Sequence, residues 1–147
     1  MISLETYREL VKPYQKRLWA SIRERTDAKL FLHCCGSIKK LLPELIEIGV
    51  DIINPVQVSA RDMDAKDLKR EFGSKLTFGG GIDTQKVMPF GTPGDVENEV
   101  KARIRELAPG GGFVLTAVHN IQAGVKPENI IRMYGAALKY GKYPINF

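Results

Sequence analysis

The stretch Leu30-Phe31-Leu32-His33-Cys34-Cys35-Gly36-Ser37 sets the organisation of this chain. It is a short apolar run that ends in a histidine, two cysteines and a glycine, which predicts a strand buried on both faces, as in a parallel sheet. In α/β sheets and barrels, chemistry takes place just beyond the carboxyl ends of such strands. Because side chains alternate along a strand, His33 and Cys35 are predicted to point to one side and Cys34 to the other. An imidazole and a thiolate on one side suit zinc, although a buried cysteine pair without metal would also explain the pattern.

Length and composition predict one domain over residues 1–147, with 44% hydrophobic and 27% charged residues. No apolar run reaches the roughly 18 residues that would span a bilayer, and no secretory signal is recognised. The only two cysteines are adjacent and cannot form an ordinary disulfide, so a cytoplasmic protein is expected. The net charge is +5, and the basic residues alternate with acidic residues on the predicted helix faces. It therefore predicts a solvated surface, with neither nucleic acid nor membrane as a partner.

The order of the predicted elements indicates the fold class. A first helix over residues 3 to about 26, kinked near Lys12 by Pro13, precedes four strand–helix units. Strands are predicted at residues 29–34, 50–54, 75–78 and 113–118, and the helices after them are predicted to be capped by Ser37, Asp64 and Thr92, with a last helix from 127 to about 140. Such alternation predicts an α/β chain with parallel strands and right-handed crossovers, a (βα)4 unit.

Polar side chains follow every predicted strand, and parallel strands bring them to one face. Both histidines of the chain are among them, so His119 is a candidate third zinc ligand beside His33 and Cys35. Three protein ligands with one open position are typical of a catalytic zinc site, which would hold a thiol substrate as the thiolate. The remaining members of the set are Asn54 and Gln57 after the second strand, Asp83 and Gln85 after the third, and Asn120 and Gln122 after the fourth.

Roles for these other residues follow from their chemistry. Asp83 is expected to cap the next helical turn, with orientation of an imidazole as the alternative. Gln57 and Gln122 are expected to orient a ligand or a loop. The glycines over residues 79–81 permit unusual backbone conformations and the close approach of a ligand, but they lack the spacing of a dinucleotide fingerprint.

The chain resembles the carboxyl-terminal part of the uroporphyrinogen decarboxylase superfamily over nearly all of its length. The resemblance rests on Leu32-His33-Cys34-Cys35-Gly36, residues 47–54, Gly80-Gly81-Ile82-Asp83, residues 91–96, residues 110–115, His119 and Pro127-Glu128-Asn129-Ile130. It implies the last four strands of an eight-stranded α/β barrel, a TIM-type half-barrel whose exposed edges need a companion amino-terminal half or a second copy.

The branch that the resemblance favours contains the cobamide-dependent methyltransferases. These bind zinc through a His-x-Cys pair and a later cysteine, and they activate a thiol for methylation by a corrinoid. The resemblance thus implies zinc on His33, Cys35 and His119, where His119 stands in the place of the later cysteine. The residues expected to be catalytic are His33 and His119, and those expected to contact the substrate at the strand ends are Asn54, Gln57, Asp83 and Gln122.

Two alternatives stay open from the sequence. The first is uroporphyrinogen decarboxylase itself, which converts uroporphyrinogen III to coproporphyrinogen III without a metal. His119 matches a histidine of its active site, but the His-x-Cys pair has no counterpart there, and its substrate-binding arginines and aspartate belong to the other half-barrel. The second alternative is a non-catalytic half-barrel that binds a corrinoid or a tetrapyrrole.

Overall fold

The computed structural model describes residues 2–147 and shows four parallel strands alternating with helices. The strands pair in the order β1-β2-β3-β4, which leaves β1 and β4 at the two edges of the sheet. The elements in chain order are α1 (Leu4–Leu10), α2 (Lys12–Arg23), β1 (Phe31–His33), a 3-10 turn (Lys39–Leu41), α3 (Leu42–Glu47), β2 (Ile52–Val56), α4 (Ala65–Phe72), β3 (Thr77–Ile82), α5 (Val87–Phe90), α6 (Pro93–Leu107), β4 (Phe113–Ala117) and α7 (Pro127–Tyr140).

The α/β fold class and the parallel (βα)4 order predicted from the sequence are confirmed. The break in the first helix falls at Val11, which separates α1 from α2 and comes two residues before Pro13. Asp64 and Thr92 cap α4 and α6 as predicted, each accepting a hydrogen bond from the backbone N–H three residues later. Local sequence therefore specified where these helices begin.

Several predicted boundaries differ from the structure: β1 covers residues 31–33 rather than 29–34, and β2 covers residues 52–56 rather than 50–54. Two further differences have a visible cause. Ser37 does not cap a helix, because its hydroxyl donates to the carbonyl of Arg61 and a 3-10 turn starts at Lys39. Strand β3 does not end at residue 78 but continues through the glycines to Ile82. Gly80 has φ +110°, and a Cβ there would lie 3.0 Å from the backbone nitrogen of Val56. The glycine thus accommodates the neighbouring strand, a non-local contact that the sequence does not show.

The two faces of the sheet differ in what covers them. On one face Ile53 and Phe78 are buried against the helices. On the opposite face Phe31 of β1 is 59% exposed and Val114 of β4 is 53% exposed. The prediction that the first strand is buried on both faces is therefore wrong, because within residues 2–147 the helices pack on only one side of the sheet.

The core lies between the sheet and the helices in two clusters. One surrounds Phe78 and Leu45, and the other surrounds Ile104 and Met133. Phe113 of β4 packs against both clusters and so joins them. Among the residues that the structure describes, no helix combines the length and hydrophobicity that crossing a bilayer requires.

Candidate functional site

His33 and Cys35 converge at the carboxyl end of β1. Nε2 of His33 lies 3.2 Å from Sγ of Cys35, and both side chains are exposed on the uncovered side of the sheet. In a tetrahedral zinc site with Zn–S of about 2.3 Å and Zn–N of about 2.0 Å, the two ligand atoms lie about 3.5 Å apart. The pair thus has nearly the separation at which sulfur and nitrogen can share one ion.

Asn54 holds the other nitrogen of the same ring. His33 and Asn54 are register partners in the pairing of β1 with β2, and Oδ1 of Asn54 lies 2.7 Å from Nδ1 of His33. An amide oxygen accepts, so this contact places the ring proton on Nδ1 and leaves the Nε2 lone pair facing Cys35. This is the tautomer that a metal-binding imidazole requires.

His119 follows β4 and stands beside the pair. Its ring centroid lies 6.0 Å from that of His33, with the ring planes at 76°. The two histidines predicted from the sequence to meet are therefore neighbours, although they come from opposite edges of the sheet. His33 is the last residue of β1, and His119 follows β4. Both rings are exposed, so the space between them is open to solvent.

His119, the candidate third metal ligand, is less closely placed than the pair of His33 and Cys35. Over residues 2–147, the structure groups no three histidine, cysteine, aspartate or glutamate side chains in an arrangement that could hold a metal ion. The donor set of one sulfur and two imidazoles suits zinc. His33 and Cys35 fit such an ion, with His119 as the nearby side chain that would complete the set.

The other residues predicted to contact substrate lie at the same end of the sheet. The side-chain oxygen of Gln57 accepts from the backbone N–H of Gly36 at 2.8 Å and so ties the loop after Cys35 to β2. Gln122 is exposed and donates to the carbonyl of Asn120 at 3.1 Å. These contacts order two loops around the site.

Asp83 is buried and acts as a local cap. Its Oδ1 accepts from the backbone nitrogens of Gln85 at 2.6 Å and Lys86 at 3.2 Å, just before α5. These bonds match the capping role favoured from the sequence. With one oxygen bonded in this way, the carboxylate fixes the turn after β3 beside the site.

Glu99 of α6 makes a polar contact with the end of β3 that sequence reasoning missed. Oε2 of Glu99 accepts from the backbone N–H of Asp83 at 3.2 Å. Burial raises the pKa of Glu99 to about 7. The hydrogen bond from the backbone N–H of Asp83 and the charge of Arg103 oppose this rise, and the charge of the Asp83 carboxylate adds to it. The sequence contained a sign of this contact. Glu99 and Arg103 lie beside the buried stripe of Val96, Val100 and Ile104 in the helical repeat, so they were candidates for a partly buried position.

Cys34 points away from the site, as strand alternation predicts. It is half-buried against the core around Tyr7, and burial raises the pKa of its thiol, with Cys35 contributing to the rise. A thiol in such surroundings stays protonated and behaves as an apolar side chain.

Comparisons with known proteins place this chain in a family. Residues 1–140 match the family model described as uroporphyrinogen decarboxylase (URO-D). The curated methylated-thiol–coenzyme M methyltransferase of Methanosarcina mazei is 31% identical over 144 residues, which cover 98% of this chain and 35% of that protein. A solved structure described as a methyltransferase from Methanosarcina mazei has a similar fold, with a TM-score of 0.76 at 17% identity over 97% of this chain and 39% of that one.

This chain thus spans about a third of the length of the curated relative it matches. The family match covers most of the chain, including both histidines, both cysteines and all four strands. The chain belongs to the uroporphyrinogen decarboxylase family.

Proposed function

We propose that this chain carries the zinc ligands of a thiol methyltransferase of the uroporphyrinogen decarboxylase family. His33, Cys35 and His119 would hold the ion, the acceptor is a small thiol, and a corrinoid is the methyl donor. One observation carries the proposal: Sγ of Cys35 and Nε2 of His33 lie 3.2 Å apart, with the ring held from behind by Asn54.

The donor set explains why a thiol is the proposed acceptor. These residues would hold a zinc ion, which would supply the positive charge that stabilises a bound thiol as its thiolate near neutral pH. Thiolate is the nucleophilic form of sulfur. In the net reaction the acceptor releases its S–H proton to solvent and a sulfur lone pair forms the S–CH3 bond. The bond between the methyl group and its donor breaks, and its electron pair remains on the donor.

The chain's own residues prepare this site in three ways. Asn54 fixes the ring of His33 with its Nε2 lone pair toward Cys35. Gln57 fixes the loop that follows Cys35 through the N–H of Gly36. Asp83 and Glu99 fix the end of β3. The uncovered face of the sheet is open, so acceptor and donor can approach the site from that side.

Similarity to the curated relative supports a thiol substrate. That relative is named for a methylated thiol and coenzyme M, and it matches nearly the whole of this chain at 31% identity. His119 replaces the later cysteine expected of the zinc-binding branch. An imidazole in place of a thiolate leaves the site one negative charge less, and zinc accepts either ligand.

The experiment measures metal in the purified protein by mass spectrometry. We expect about one zinc per chain in the wild type and a loss of more than half of it in Cys35→Ser and in His33→Ala. Cys34→Ser is the matched control, because Cys34 is the adjacent thiol on the other side of the strand. Cobalt substitution should give a thiolate-to-metal charge-transfer band that Cys35→Ser removes and Cys34→Ser keeps.

Two outcomes would overturn this proposal. One is a protein without stoichiometric zinc, and the other is zinc content that Cys35→Ser leaves unchanged. In either case, conversion of uroporphyrinogen III to coproporphyrinogen III would be the reaction to assay next, with His119→Ala as its control.

A further inference from the structure

A small cavity of about 290 Å³ lies at the amino ends of the strands. Its walls come from the segments just before β1, β3 and β4 and from the start of β2, with Lys29, Lys75, Thr77 and glycines 110–112 among the lining residues. His33 ends β1, and all four strands are parallel. The cavity and the proposed zinc site therefore lie at opposite ends of the sheet.

The charge around this cavity is positive. The side chains of Lys29 and Lys75 are exposed, and within residues 2–147 neither ammonium group lies within salt-bridge distance of a carboxylate. Asp51 also lines the cavity, but its carboxylate already accepts from the guanidinium of Arg23 and from the backbone N–H of Leu30. Two cations without an anionic partner favour the binding of an anion.

A third ammonium group lies beside the glycines of this cavity and is partly withdrawn from water. Nζ of Lys69 donates to the carbonyl of Gly111 at 2.5 Å, and burial lowers the pKa of this lysine. No carboxylate in the described part of the chain lies within salt-bridge distance of it. A half-buried cation whose contact is a neutral carbonyl is stabilised when an anion binds next to it.

The backbone leaves room for a ligand where these groups meet. Gly112 has φ +70°, and a Cβ built there would lie 3.8 Å from Nζ of Lys69 and 3.8 Å from Oγ1 of Thr77. Gly110 and Gly111 have φ +77° and +84°, and nothing lies within 4 Å of a Cβ at either position. The three glycines thus leave open space beside an ammonium group and a hydroxyl, which are both hydrogen-bond donors.

Helix ends account for one of the three lysines but not for the other two. α4 and α6 end close to the cavity, at Phe72 and Leu107, and the last carbonyls of a helix carry a partial negative charge. Lys69 lies in the last turn of α4 and complements that charge. Lys29 and Lys75 lie outside the helices, in the segments that lead into β1 and β3.

We propose that this cavity binds the phosphate group of a small phosphorylated metabolite. Lys29 and Lys75 bind the phosphate oxygens from the rim, while Lys69 and Thr77 donate from beside Gly112. Three ammonium groups match the charge of about −2 on a phosphate monoester better than the single charge of a carboxylate. A volume of about 290 Å³ is at the lower end of the range for ligand pockets, so the metabolite is small. This inference does not depend on zinc or on methyl transfer.

The test is an NMR titration of the ¹⁵N-labelled wild-type chain with inorganic phosphate at constant ionic strength. We expect saturable shifts of the amide signals of Thr77 and of residues 110–112, with a Kd of about 1 mM or below. Lys29→Gln and Lys75→Gln should each raise this Kd fivefold or more, because each removes a charged donor. Lys66→Gln is the matched control, since Lys66 is exposed in the first turn of α4 and should leave the Kd unchanged.

The exchanged lysines are exposed, so all three variants should keep the circular dichroism spectrum of the wild type. Sodium acetate is the second probe, and we expect it to bind at least fivefold more weakly than phosphate. Equal affinity for the two anions would overturn the assignment of a phosphate group. Absence of saturable shifts up to about 20 mM phosphate would overturn the site itself. The site would also be overturned if Lys66→Gln and Lys75→Gln weakened binding equally, or if the shifts were confined to residues around His33.

Discussion

Oδ1 of Asn54 lies 2.7 Å from Nδ1 of His33, on the opposite side of the ring from Cys35. The two residues are directly paired across β1 and β2, so the contact is set by the register of the sheet. It makes Asn54 a positioning residue for the proposed zinc ligand His33. A side chain in that place selects the tautomer and orientation in which Nε2 can bind a metal.

Asn54→Ala should weaken zinc binding by about 10- to 100-fold, because the imidazole loses the acceptor that fixes its orientation. Competition with a chromophoric chelator measures this change. Asn54→Asp is the control, since a carboxylate oxygen in the same place still accepts from Nδ1 and should keep wild-type affinity within a few-fold. Equal zinc affinity in Asn54→Ala and the wild type would remove the positioning role.

Glu99 should make the protein less stable as the pH rises. Burial raises its pKa to about 7 in the folded state, against an ordinary value of 4.5. Between pH 4.5 and pH 7 the folded state therefore holds a proton that the unfolded state has lost. Stability from this group is therefore present below about pH 4.5 and is lost as the pH rises through about 7. Glu99→Gln keeps an oxygen for the N–H of Asp83 and should raise the free energy of unfolding at pH 8 by about 1 kcal/mol, with no gain at pH 4.

Glu97, two residues earlier in α6, should behave in the opposite way. The hydroxyl of Tyr140 donates to it and Lys101 lies nearby, so its pKa is lowered. Glu97→Gln should therefore lose stability at pH 8, and this loss should shrink as the pH falls through the carboxylate range. Urea unfolding at several pH values measures both variants. The same sign of change at pH 8 for Glu97→Gln and Glu99→Gln would contradict this assignment.

The predicted features that the structure confirms depend on short stretches of sequence. Thr92 and Asp64 cap their helices because a hydroxyl or carboxylate needs only the next turn of backbone. The sequence predicted that Asn54 and His33 lie close together at the strand ends. It did not predict their hydrogen bond, because that bond depends on the register of β1 and β2. Exposure of Phe31 could not be read from the sequence at all, because an apolar run looks the same whether or not a partner covers it.

The cap of α6 gives a prediction of local stability. Oγ1 of Thr92 accepts from the backbone N–H of Asp95, and the carboxylate of Asp95 accepts in return from the backbone N–H of Thr92 at 2.8 Å. Thr92→Ala should therefore lower the free energy of unfolding by about 1 kcal/mol, while Thr92→Ser should retain most of it. Asn98→Ala in the same helix is the control, because Asn98 is exposed and should change stability by less than about 0.5 kcal/mol. An equal loss of unfolding free energy in Thr92→Ala and Asn98→Ala would argue against a specific capping effect.

Asn129 holds the start of α7 against the segment that follows β3. It is 0% exposed, and its Nδ2 donates to the carbonyls of Met88 and Gly91, each at 2.9 Å. Asn129→Ala removes the side-chain NH2 group, so the carbonyls of Met88 and Gly91 both lose this hydrogen-bond donor. The free energy of unfolding should therefore fall by about 3 kcal/mol. Urea unfolding measures this loss, with exposed Glu128→Ala as the neighbouring control. A change below about 0.5 kcal/mol for Asn129→Ala would show that water or backbone movement replaces both bonds, and α7 would then be held by its apolar contacts alone.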